Sequence, residues 1–202
     1  FIGWYMVKSG LVNDITVSHY RLSIHLSTAV LIISTIFWLI KNLKSKKYKI
    51  FFSFSKTNLP FLFLIFLIYL QIIMGAFVSG LDAGKIYQTW PLMGNSYFPN
   101  DNILVINNLL DFDNHSLVQF YHRNLAYFIF FYVLCLTIFI YKKRISFLYH
   151  SIKILFSLLF LQIFFGILAL VSGLNIYLAS AHQITSVLLI FSALNMYFLR
   201  AK

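Results

Sequence analysis

Five continuous apolar runs, at about 21–40, 59–80, 118–141, 152–173 and 178–199, leave this chain few folds to choose from. Each approaches the ~20 residues an α-helix needs to cross ~30 Å of hydrocarbon. A segment in lipid must satisfy its backbone polar groups internally, which restricts spanning structures to helices and closed barrels. These runs do not alternate polar with apolar residues, so helices are predicted. The chain is 60% hydrophobic and 10% charged, against roughly a quarter charged in soluble domains, which excludes a soluble core. The expected fold is an all-α transmembrane helical bundle of five full spans. An N-terminal partial span precedes them at residues 1–7, "FIGWYMV". With neither Met nor a basic leader at its start, the chain is expected to be a piece truncated at its N-terminus.

Charge sets the orientation. The net charge is +11, a balance that also suits nucleic acid, but the placement of the charges excludes that partner. Twelve of the sixteen Lys and Arg residues fall between Lys41 and Lys56, between Lys142 and Lys153, and at Arg200 and Lys202. These segments alternate with the spans and put 41–58, 142–151 and 200–202 on the cytoplasmic side by the positive-inside rule. The five acidic residues Asp14, Asp82, Asp101, Asp111 and Asp113 lie in the other loops, 11–20, 81–117 and 174–178, and Glu does not occur. The long outer loop 81–117 carries "GLDAGKIYQTWPLMGNSYFPNDN" and is either a functional cover or a loose connector. Cys135 is the single cysteine, so an internal disulfide is excluded and a small packing residue is expected.

The sequence repeats itself. "QIFFGILALVSGL" (162–174) matches "QIIMGAFVSGL" (71–81) in Gln, Ile, Gly and the closing Val-Ser-Gly-Leu. The first also resembles "GWYMVKSGL" (3–11), where two glycines stand seven residues apart as Gly166 and Gly173 do. Aligning His25 with His182 pairs Thr28 with Thr185, Val30 with Val187 and Leu31 with Leu188. A duplicated four-helix unit, cut within its first copy, would give this pattern; chance matching of a biased composition is the alternative. The expected division is 1–56 as the second half of an N-terminal bundle and 57–202 as a complete C-terminal bundle, within an eight-span architecture.

Three of the six histidines, His25, His122 and His182, lie inside spans near their outer ends. An imidazole at that depth is costly without a partner and is a candidate functional group; a histidine bonded between helices is the plainer reading. A zinc site calls for more ligands than the spans offer. A heme needs only axial ligands and an apolar slot, which helical bundles supply from inward-facing side chains. His122 and His182 form the expected pair, and His25 takes the place of His182 in the first copy. Arg123 follows His122, and Arg21 lies one turn before His25. Each can form a fork to a heme propionate at the bilayer edge or snorkel to lipid phosphate.

The motifs "GWYMVKSGL…SHYRLSIHLS", "QIIMGAFVSGLDAG…TWPLMG", "VQFYHRNLAY" and "GILALVSGL…LASAHQ" together resemble the heme A synthase family over almost the whole chain. The resemblance implies eight helices in two pseudo-symmetric four-helix bundles. In it His122 and His182, with Arg123, hold a cofactor heme b, and His25, with Arg21, belongs to the site of the substrate heme O. The implied reaction oxidises a porphyrin methyl of heme O to a formyl, giving heme A for cytochrome c oxidase. The family's catalytic Glu and second N-terminal His would precede residue 1, so a piece of this extent is expected to be inactive alone. Also implied are the bacterial cytoplasmic (inner) membrane, or else the mitochondrial inner membrane, contact with lipid, and partnership with heme O synthase and cytochrome c oxidase assembly factors. Homo-oligomerisation is left open. The rival expectation is a b-type diheme electron-transfer cytochrome that leaves the porphyrin unaltered.

Overall fold

The helices follow the apolar runs because within lipid each has no other way to pair its backbone. The computed structural model describes residues 1–10, 17–99 and 109–201. Its helices are α1 (Ile2–Gly10), α2 (His19–Leu43), α3 (Leu59–Gly80), α4 (His115–Lys142), α5 (Tyr149–Val171) and α6 (Ile176–Arg200). Five of them, from α2 onward, are long and apolar enough to cross a membrane. Each expected span lies on its helix except that α5 stops at Val171, two residues short of the expected end at 173; at most other ends the helices overrun the apolar runs by up to three residues. Polar starts such as His19 and His115 extend them, because Asn and Lys ends still form helical turns outside the hydrocarbon. The parts of loops 11–20 and 81–117 at 11–16 and 100–108 lie outside the described residues.

Helix ends carry their own chemistry. The Asn114 side chain accepts from Leu117 N–H at 3.1 Å, and Asn175 accepts from Tyr177 N–H at 3.0 Å, so each covers orphan donors of the helix it starts. α5 stops where Gly173 takes φ +71°, a left-handed turn residue after the last helical turn. At the inner end Lys49 donates through Nζ to Phe198 O at 2.9 Å and Ala201 O at 2.5 Å, closing the C-terminus of α6. Burial, with Lys41 nearby, pulls the Lys49 ammonium below its usual range. Asn42 returns the chain onto itself by accepting from Lys49 N–H at 2.7 Å.

Leu64, Val133, Ile140, Leu148, Ile152, Leu155 and Leu194 are fully buried between α3, α4, α5 and α6. Trp38 packs on Phe51, Tyr197 and Phe198 at the inner end, tying α2 and the inner connector to α6. Ile24, Leu31, Ile32 and Ile36 of α2, like Phe128 and Phe131 of α4, face outward, which costs nothing against lipid tails. Cys135 shares that outward surface instead of packing inside. Hydroxyls in the spans bond back to their own helix: Ser27 to Ser23 O, Thr28 to Ile24 O, Thr35 to Leu31 O and Thr137 to Val133 O. Without such a partner each would cost free energy in hydrocarbon. All basic clusters then sit at one end of the bundle, and the three span histidines sit toward the other.

Candidate functional site

His122, in the second turn of α4, and His182, in the second turn of α6, face each other with ring centroids 6.4 Å apart and planes at 77°. Each ring needs space against a neighbouring helix, and a glycine provides it. A Cβ on Gly75 of α3 would lie 3.2 Å from Cε1 of His122. One on Gly166 of α5 would lie 2.9 Å from Cε1 of His182. His25 of α2 repeats the arrangement against Gly3 of α1, at 3.0 Å. The two long-repeat motifs therefore mark a physical relation: one glycine, one imidazole, across one helix contact.

A glutamine four residues before each of the later glycines completes the shell. The His182 Nδ1–H donates to Gln162 O at 2.9 Å, since a carbonyl can only accept. That leaves the lone pair on Nε2, which the Gln162 amide N–H meets at 3.3 Å, while Thr185 Oγ1 donates to Gln162 Oε1. On the facing side Gln71 Nε2 donates to His122 O at 2.9 Å and lies 3.2 Å from Nδ1 and 3.4 Å from Nε2. Gln71 Oε1 is buried without a partner. The roles of these glutamines were missed at the level of sequence, although the repeat matched Gln71 with Gln162.

The pair fits an iron porphyrin. Imidazoles sharing one metal, each with a nitrogen about 2 Å from it, have ring centres about 6 Å apart, close to the 6.4 Å observed. No group of three or more His, Cys, Asp or Glu able to hold a metal occurs among the described residues. His122 and His182 would hold a metal here only together with ligands that a macrocycle such as a porphyrin supplies.

Arg123 occupies a definite position. It donates through one guanidinium nitrogen to Thr89 O at 2.9 Å and Leu92 O at 3.4 Å, and through the other to Tyr87 O at 2.9 Å. Gln119 donates to the same Tyr87 O at 2.9 Å. Trp90 Nε1–H donates to Tyr127 OH at 3.0 Å, and Met93 is buried. The described part of the outer loop, 81–99, is thus a cover fastened to α4 beside His122, not a loose connector. Arg21 lies over the Tyr5 ring at 5.9 Å. His19 stands 3.1 Å from Asp113 and links the outer starts of α2 and α4. His25 sits with Gly3, apart from the His122–His182 pair.

Replacing Arg123 by Ala removes three charge-assisted bonds, each worth about 1.5–3 kcal/mol when one partner is ionised. Arg123→Ala is expected to open 81–99 to limited proteolysis and to weaken heme retention about tenfold relative to a Lys142→Ala control. Equal retention in the two variants would remove Arg123 from the site.

Fold and site together define a multi-pass helical membrane protein with a facing bis-imidazole site under its outer surface. The chain belongs to the cytochrome oxidase assembly protein family, COX15-CtaA, whose profile matches residues 1–194. It is 47% identical over 199 residues to a heme A synthase of Pelagibacter ubique (strain HTCC1062), covering 95% of this chain and 56% of that protein. It is 40% and 39% identical over 208 residues to the heme A synthases of Rickettsia felis and Rickettsia africae, covering 98% of this chain and 60% of each. The chain thus spans less than two thirds of the length of these relatives.

Proposed function

We propose that the protein acts in heme A synthesis: it oxidises a methyl group of heme O to a formyl group, yielding heme A for cytochrome c oxidase. The observation that carries this is the facing pair His122 and His182, each seated on a glycine, in a chain whose relatives are heme A synthases. In this reading residues 57–202 form the cofactor bundle, and His122 and His182 hold a heme b with Arg123 at its outer edge. Residues 1–56 belong to the substrate bundle, where His25 and Arg21 serve the site of heme O. The duplication behind that division is supported by Gly3 standing to His25 as Gly166 stands to His182. The bacterial cytoplasmic membrane is the expected location, with heme O synthase and oxidase assembly factors as the partners that supply heme O and receive heme A.

The bound heme b would supply a one-electron carrier for the oxidation. The chain's own residues position and enclose that group. Gln162 O fixes the His182 ring with its lone pair on Nε2, a position that the Gln162 amide N–H covers and would yield to a metal. Gly75 and Gly166 let both rings approach their neighbouring helices. Gln119 and Arg123 hold the 81–99 cover in place, and Met93 of that cover is buried. Arg123 also brings positive charge to the outer edge, where carboxylates of a porphyrin would lie.

Expression of the complete gene in a host that makes heme O but lacks heme A synthesis tests the reading. Heme A is expected in acid–acetone extracts of those membranes and absent from the empty-vector control. Extracts holding only unaltered hemes would return the protein to an electron-transfer cytochrome.

A further inference from the structure

The inner connector between α2 and α3 holds neither helix nor strand, yet from Tyr48 to Ser55 its residues alternate between covered and exposed. Lys49, Phe51 and Ser53 belong to the covered face, which is bolted to the bundle. Lys49 O accepts from Trp38 Nε1–H at 3.3 Å and from the Asn42 amide at 3.2 Å. Ser53 N–H donates to Tyr197 OH at 3.3 Å, and Tyr197 OH donates to Phe51 O. The Phe51 ring packs on Trp38 with centroids 4.9 Å apart. Tyr48, Ile50, Phe52 and Phe54 make the other face and are 65–78% exposed. Phe52 and Phe54 stack on each other at 6.0 Å. The bolts on the covered face hold this apolar row in one orientation.

Those bolts also set its depth. Trp38 lies five residues before the end of α2, and Tyr197 three before the end of α6. At 1.5 Å per residue the connector is level with the last ~5–8 Å of the two helices, about the thickness of the headgroup layer on one side of a bilayer. Aromatic rings favour that layer. Lys44, Lys46, Lys47 and Lys56 flank the row and are exposed, and none has an ion-pair partner among the described residues. All five acidic residues of the chain stand in the other set of loops. We propose that 44–56 is an interfacial strap that binds anionic phospholipid: Tyr48, Ile50, Phe52 and Phe54 enter the headgroup layer, and the four lysines pair with its phosphates. The attraction of one lysine to an anionic leaflet corresponds to about a fivefold preference. The strap stands apart from the heme reading and holds or fails without it.

The test uses the complete gene product with its native cysteines, Cys135 among them, replaced by serine. A single Phe52→Cys or Phe54→Cys change then carries a bimane fluorophore. The labelled protein is placed in vesicles of phosphatidylcholine and phosphatidylglycerol. A nitroxide near the headgroup of either lipid quenches the bimane on contact, and iodide quenches it from water. Nitroxide phosphatidylglycerol is expected to quench both positions, with about fivefold preference over nitroxide phosphatidylcholine. The preference is expected to vanish when Lys44→Gln, Lys46→Gln, Lys47→Gln and Lys56→Gln are combined. Bimanes that only iodide quenches would place the row in water. Bimanes that no quencher reaches would show it covered by another part of the chain or by a partner protein. Either result overturns the proposal, as does equal quenching by the two lipids, or a preference that survives the four Gln changes. If Phe52→Cys or Phe54→Cys does not accumulate, Tyr48→Cys and Ile50→Cys sample the same row by the same criteria.

Discussion

His182→Ala is expected to abolish the cofactor heme spectrum while the protein stays inserted in the membrane. The variant removes one of the two imidazoles that would hold the heme and leaves a space between α5 and α6 lined by Gly166 and Gln162. The helix itself does not depend on the ring: Asn175 still caps α6, and Leu189, Leu194, Met196 and Tyr197 remain buried beyond it. Reduced-minus-oxidised absorption of solubilised membranes reads the loss, and immunodetection of the membrane fraction reads the insertion. A bis-imidazole spectrum of wild-type intensity in His182→Ala would show that the iron is held elsewhere. His25→Ala is the matched control, because His25 sits with Gly3 and contributes nothing to the His122–His182 pair.

The second large effect concerns a residue with no side chain. Gly166→Val is expected to lower heme occupancy 10–100-fold, the range for disturbing the support of a metal-ligating histidine. Even the first added carbon would stand 2.9 Å from Cε1 of His182, closer than real Cβ contacts come, and 3.1 Å from its Nδ1, tighter than most. The ring must turn, and in turning it loses its bond to Gln162 O. Overpacking of this kind costs about 1–3 kcal/mol, less than a bundle of this size needs to unfold, so the protein is expected to accumulate normally. Gly75→Val is expected to act through His122 in the same way, with a smaller effect because the closest approach there is 3.2 Å. Full heme content in Gly166→Val, measured as pyridine hemochrome per protein, would show that the ring does not need that glycine.

Much of this was legible in the sequence because membrane folding is governed by a few strong terms. Hydrocarbon thickness set the number and length of the helices, and the clustering of Lys41–Lys56 and Lys142–Lys153 set the orientation expected for them. The three span histidines stood out because imidazole is costly at that depth. What sequence reasoning did not reach was how the side chains settle. Arg123 was expected at a propionate or a lipid phosphate, and its bonds to three loop carbonyls were not foreseen; periodicity carries no information on backbone acceptors supplied from 31 to 36 residues away. The glutamines were visible as matched letters in a repeat, but only the helix contacts show Gln162 O on Nδ1 of His182 and Gln71 on the His122 ring. The inner clasp of Asn42, Lys49 and Tyr197 was hidden for the same reason: polar groups in an inner connector look solvated until the neighbouring helix end supplies their partners.

The central claim is that His122 and His182 grip one iron porphyrin between them. Low-temperature EPR of the purified protein, titrated with one equivalent of ferric protoporphyrin IX, tests it most directly. The account predicts a low-spin, six-coordinate ferric signal that is lost in the His122→Ala and His182→Ala variants and kept in His25→Ala. A high-spin signal in the wild type, or a low-spin signal that survives in both the His122 and His182 variants, would contradict it.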